Sequence, residues 1–92
     1  MPSVSFKLAR VVATPGALEA FESADERPQS YLDRHAGGDW GELGDDDKML
    51  NDLAVTHDER ILSAYTLKDG TKIWIITEAD RSSTTILLPE EY

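Results

Sequence analysis

Apolar and polar positions alternate at the start of the chain, where Val4, Phe6 and Leu8 are set against Ser5 and Lys7 before the run Val11-Val12-Ala13. This two-residue period predicts a first strand over 4–13. Thr14 then suits a helix N-cap, and Pro15 the first helical position, where its missing N–H costs nothing. The period lengthens over 17–24, with Leu18 and Phe21 on one helical face, until Arg27-Pro28 breaks the helix. Residues 29–36 predict a second helix, with Tyr31, Leu32 and His35 at neighbouring helical positions and Gly37-Gly38 as its stop. Residues 39–44 show no period and carry Gly41 and Gly44, which reads as a loop. Asp45 is placed to cap a third helix over 46–54, on which Met49, Leu50, Leu53 and Ala54 form an apolar stripe.

Beyond Asp58 the period shortens to two. The runs 60–67 and 71–78 flank Lys68-Asp69-Gly70, and Asp-Gly between such runs predicts a hairpin. A two-residue loop at Asp69-Gly70 sets Tyr65 across from Trp74 and Ala64 across from Ile75. Asp80-Arg81-Ser82 turns the chain again, and 83–88 predicts a last strand ended by Pro89. The order is β-α-α-α-β-β-β, with helical and strand halves segregated. That argues for an α+β fold in which a small antiparallel sheet of three or four strands carries the short helices on one face. With 92 residues the chain has room for a single domain, 1–92, and a thin core.

Charge changes this picture. The formal net charge of −9 is concentrated in the middle: residues 19–59 carry thirteen acidic residues against three basic ones, and 39–59 carry eight against one. Such a field repels phosphate backbones and anionic lipids, so direct binding to nucleic acid or a membrane is disfavoured and a basic protein surface is the favoured partner. Lys7, Arg10, Arg60, Lys68, Lys72 and Arg81 fall mostly on strands and turns, diluted by acids, and no ribonucleoprotein-type aromatic motif accompanies them. The chain has no cysteine, which excludes disulfides, thiolate zinc sites and a cysteine nucleophile. With no long apolar run and no secretion signal, the cytoplasm is the expected compartment.

Catalysis finds little foothold. The histidines are His35 and His57, and no serine stands in a nucleophile-elbow context. Three consecutive carboxylates at a helix start point in three directions, and the alternating ligands of a calcium loop are missing. No metal or cofactor is therefore expected, and the chain reads as non-enzymatic. Capping and the helix dipole account for one or two of the aspartates. The surplus reads either as a solvated helix end or as a partner-binding surface. Trp40 likewise reads either as a core anchor beneath the glycine-rich loop or, amid exposed acids, as a binding hot spot. The surface assigned to a basic partner comprises Asp39, Trp40, Glu42, Asp45, Asp46, Asp47 and Asp52, with carboxylates pairing to lysine or arginine and Trp40 as the apolar anchor.

Two segments carry a resemblance. One is Ala13-Thr14-Pro15-Gly16-Ala17-Leu18 followed by Arg34-His35-Ala36-Gly37-Gly38-Asp39-Trp40-Gly41. The other is Ile61-Leu62-Ser63-Ala64-Tyr65 through Lys72-Ile73-Trp74-Ile75-Ile76-Thr77-Glu78-Ala79-Asp80-Arg81-Ser82 to Leu87-Leu88-Pro89. From about Val12 onward the chain resembles a family of small acidic proteins carried on bacterial plasmids and integrative elements, members of which bear names such as plasmid-related protein or type I restriction subunit M. The second name does not fit a chain without a glycine-rich cofactor loop or an Asn-Pro-Pro-Tyr-like motif. The resemblance brings no catalytic residues, but it implies a mobile-element setting. Combined with the charge map, that setting makes the leading expectation an inhibitor of host defence, anti-CRISPR or anti-restriction. It would occupy the basic nucleic-acid-binding groove of a nuclease or CRISPR effector subunit. The alternative is a plasmid accessory or regulatory module, such as a dimeric toxin-antitoxin or transfer-system partner, joined as a homodimer or to another chain through the sheet face around Tyr65, Trp74 and Ile76.

Overall fold

A computed structural model describes residues 6–92, so the part of the strand expectation at Val4 and Ser5 lies outside the described residues. Sheet pairing begins at Arg10. Upstream, the Phe6 N–H donates to the Ala36 carbonyl at 3.0 Å and the ring sits against His35 and Trp40, so this stretch is held to the helices rather than to the sheet. The elements are β1 (Arg10–Ala13), α1 (Pro15–Ala24), α2 (Gln29–Ala36), α3 (Asp45–His57), β2 (Ile61–Thr66), β3 (Lys72–Thr77) and β4 (Ser83–Leu87), with a final 3₁₀ turn at Pro89–Glu91. The order matches the hydrophobic periodicity. No helix among the described residues is long and apolar enough to cross a membrane.

The sheet runs β1-β4-β3-β2 and is mixed. β2 and β3 pair antiparallel, as do β3 and β4, but β1 lies parallel to β4 from Arg10↔Ser83 to Ala13↔Ile86. This corrects the purely antiparallel expectation. A tight turn reverses the chain between neighbouring strands, whereas β1 is separated from the others by all three helices, and a long crossover allows a parallel return.

The hairpin register also differs by one residue. The Leu67 N–H donates to the Thr71 carbonyl and the Gly70 N–H to the Leu67 carbonyl, enclosing the three-residue loop Lys68-Asp69-Gly70 with Gly70 at φ +93°. Tyr65 therefore pairs with Ile73, and Ala64 with Trp74. A one-residue shift exchanges faces. Ile61, Ser63, Tyr65, Ile73 and Ile75 point into the core, and Trp74 lies on the opposite side, half-buried against Tyr92.

α1 docks on the sheet through Ala17 and Phe21 and α2 through Tyr31 and Leu32, meeting Tyr65, Leu67, Ile73, Ile75 and Ile86. Full burial of such side chains contributes about 1.5–3 kcal/mol each. Thr14 caps α1 as its sequence position implies, accepting the Ala17 N–H at 3.1 Å. α3 departs from expectation at both ends. Gly44, not Asp45, occupies the cap position, because Asp45 is already helical. At the far end α3 runs to His57, where Arg81 from the β3–β4 turn donates to the Ala54 and Glu59 carbonyls at 2.8 and 2.7 Å and satisfies acceptors at the negative end of the dipole.

Candidate functional site

α3 sits beside β2 by polar contacts more than by its apolar stripe. The Asn51 amide donates to the Leu62 carbonyl at 2.7 Å and accepts the Leu62 N–H at 3.4 Å. One residue pair further along β2, the Ala64 N–H donates to the Trp40 carbonyl and its carbonyl accepts the Glu42 N–H at 2.7 Å. The loop thus lies on β2 as a short parallel bridge at Gly41, whose φ is +77° and where a Cβ would overlap the Ala64 carbonyl oxygen. This position requires glycine.

That bridge draws Trp40 inward. It is 3% exposed and packs with Ala54 and Ile61, bordered by Phe6, Leu43 and Val55. Its indole N–H donates to Asp52 at 2.8 Å. Trp40 is consequently unable to serve as the apolar anchor of a partner surface, and that assignment is corrected: the compact glycine-flanked loop tucks the ring under α3.

The seven residues assigned to a partner divide into two groups. Asp39, Glu42 and Asp52 are engaged within the chain, in addition to Trp40. Asp39 pairs with Arg34 at 2.7 Å and accepts the Gly41 N–H, and these contacts hold its carboxyl below the usual range while raising Arg34. Arg34 in turn lies 4.7 Å over the Tyr65 ring. Glu42 accepts from the Thr66 hydroxyl and from Lys72, which lowers its pKa. Asp45, Asp46 and Asp47 are exposed in the first turn of α3 and have no hydrogen-bond or ion-pair partner among the described side chains.

The same helix exposes three of the four residues of the expected apolar stripe. α3 buries Asn51 and Ala54, while Met49, Leu50 and Leu53 are 64%, 61% and 48% exposed. Positions 46, 50, 53 and 57 recur at helical spacing, so Asp46, Leu50 and Leu53 share one outward face, with Met49 at its margin. A shallow cleft beside it is lined by Leu43, Asp47, Leu50, Asn51 and Leu62. The legible signal was the coincidence of acids and apolar residues on one face. A stripe bound for the core has its charges on the opposite side.

His35 is fully buried. Its Nδ1 meets the Ser63 hydroxyl, its Nε2 lies 2.8 Å from Thr77, and Thr77 is 2.7 Å from Thr84. Burial lowers its pKa to about 4, so it is neutral at pH 7. Ser63 has no exposure either, which makes the pair a packed polar seam rather than a nucleophile open to substrate. No group of three or more His, Cys, Asp or Glu among the described residues is arranged to hold a metal ion.

The sheet-face surface proposed around Tyr65, Trp74 and Ile76 is not assembled. Tyr65 faces the helices at 1% exposure, Ile76 is 3% exposed, and the Tyr92 ring lies 5.7 Å from Trp74. The expectation failed with the hairpin register, which put Tyr65 and Trp74 on opposite faces. No protein-family model matches the chain, and neither the curated proteins nor the solved structures yield a match.

Proposed function

We propose that this chain is a non-enzymatic interaction protein whose outward α3 face binds a basic, partly apolar protein surface. One observation carries the reading. Three aspartates without a partner among the described residues stand on the same helix as three exposed apolar side chains, Met49, Leu50 and Leu53. Carboxylates of this kind steer a cationic partner and set specificity, while desolvated apolar side chains supply residence time. The partner class we assign is the nucleic-acid-binding groove of a nuclease or CRISPR effector subunit in the cytoplasm. The net charge of −9 supports it, as does the resemblance to proteins of mobile elements. The apolar component distinguishes this surface from pure phosphate imitation, so binding should weaken with salt without vanishing.

The test is protection of phage or plasmid DNA in hosts with active restriction or CRISPR immunity. Expression of the wild-type chain should restore plaquing or transformation in at least one such host. Changing Asp45, Asp46 and Asp47 together to Asn should cut that rescue by about tenfold or more, as expected for loss of several charge-assisted contacts. Rescue undiminished in the triple variant would remove α3 from the proposal. Absence of rescue in every defence-proficient host tested would remove the inhibitor class.

A further inference from the structure

The two edges of the sheet are treated differently. On β2, the backbone groups of Leu62 and Ala64 are met by Asn51, Trp40 and Glu42. β1 forms the other edge. It pairs with β4 on one side only, and its outward N–H and C=O groups have no partner among the described residues. Open strand edges are templates for another strand, and proteins ordinarily cover or blunt them. Here the edge is also apolar: Val11 and Val12 are 42% and 38% exposed, and Leu18 beside them is 55% exposed. A groove of about 460 Å³ runs along this edge between β1 and the helices, lined among others by Val11, Ala13, Leu18, Leu32, Ile86 and Arg27.

Charge selects the occupant. In a chain of net charge −9, Arg27 lines this groove and Arg10 opens β1, both exposed and both without a charge partner among the described residues, and Lys7 lies three positions before Arg10. A second copy would bring the same cations, Arg10 and Arg27, to the contact. An acidic strand meets them with opposite charge. We propose that β1 and its groove form a strand-addition site for an extended acidic peptide segment of a partner protein. The added strand takes main-chain hydrogen bonds from β1, places alternate apolar side chains in the groove and sets Asp or Glu near Arg10 and Arg27. Four residues of β1 span about 13 Å, which fits a segment of four to six residues. This site is separate from α3 and does not depend on the reading given for it.

The experiment uses a fluorescent hexapeptide of alternating valine and glutamate, titrated by anisotropy against the full chain. Saturable binding is expected. It should fall at least tenfold when alternate peptide amides are N-methylated, at least tenfold in the Arg10→Glu/Arg27→Glu variant, and to background for the valine–lysine counterpart. Both arginines are exposed, so circular dichroism should show the fold retained. Amide NMR shifts should centre on Val11 and Val12. The Asp45, Asp46, Asp47→Asn variant should bind the peptide as well as wild type, which separates this site from α3. Failure to saturate at millimolar peptide, or indifference to N-methylation, overturns the proposal. So does a sedimentation-detected dimer that Val12→Lys dissolves, since the occupant is then a second copy.

Discussion

Residues 39–44 and the first half of α3 are adjacent, equally acidic and employed in opposite directions. The loop commits its polar groups to contacts within the chain, although Asp39 and Glu42 stay exposed: Asp39 holds Arg34, Glu42 holds Thr66 and Lys72, and the Gly41 bridge seats Trp40 where Asp52 can accept its N–H. α3 turns Asp45, Asp46 and Asp47 outward with Met49, Leu50 and Leu53. Charge counted along a chain is therefore a poor guide to charge available at a surface. Carboxylates beside an edge strand with free hydroxyls and cations are paired within the chain, and those in the first turn of α3 have no hydrogen-bond or ion-pair partner among the described residues.

The sharpest way to break this comparison is at Gly41. Gly41→Ala puts a Cβ into the Ala64 carbonyl and a side chain at φ +77°, so it should release the loop and destabilise the fold by about 3 kcal/mol or more in urea denaturation. A loss below about 1 kcal/mol would mean that the loop is not fastened to β2.

Next in size is the acid response of the buried seam. His35 has its pKa lowered by burial to about 4, against 6.5 in an unfolded chain. Its contribution is complete above pH 6.5 and is lost as pH falls from there toward 4, because the unfolded chain takes up the proton first. At pH 5 the loss should be about 2 kcal/mol. Urea midpoints at pH 8, 6.5 and 5 check it, and equal midpoints at 8 and 5 would contradict the buried neutral state.

Much of this architecture was legible from residue order. Thr14-Pro15, Arg27-Pro28 and Gly37-Gly38 mark helix boundaries by local chemistry, and the structure places α1 and α2 accordingly. Tertiary facts were not legible. Whether Asp69-Gly70 closes a two- or three-residue loop depends on where Leu67 and Thr71 pair, and that one residue decides the faces of Tyr65 and Trp74. The direction of β1 depends on the path of three helices. At the candidate site, the assignment of Asp45, Asp46 and Asp47 rests on charge, and the structure adds that all three are exposed. Trp40 is buried while Met49, Leu50 and Leu53 are exposed, and α3 meets β2 through hydrogen bonds of the Asn51 side chain to the Leu62 backbone, a device that hydrophobic patterning does not register.

Asp52→Ala tests the inward half at a single contact. It leaves the Trp40 indole N–H without its acceptor in a part-buried setting, and the expected cost is about 1–2 kcal/mol. The change also removes a negative charge, so the measurement should be repeated at high salt, where a loss of the same size identifies the hydrogen bond as its source.

The smallest expected effect on stability is the most informative for the outward half. Leu50→Ser and Leu53→Ser in a core-facing stripe would each cost several kcal/mol, as truncation of buried leucines does. On a face where these side chains are 61% and 48% exposed, the changes should stay within about 0.5 kcal/mol each in the same urea titration. Side chains as exposed as Met49, Leu50 and Leu53, beside aspartates with no partner among the described residues, contribute little to folding. Stability unmoved by the serine variants, together with reduced rescue of phage or plasmid DNA, therefore assigns the face to binding. A large loss of stability would instead return the stripe to the core and dissolve the contrast between loop and helix.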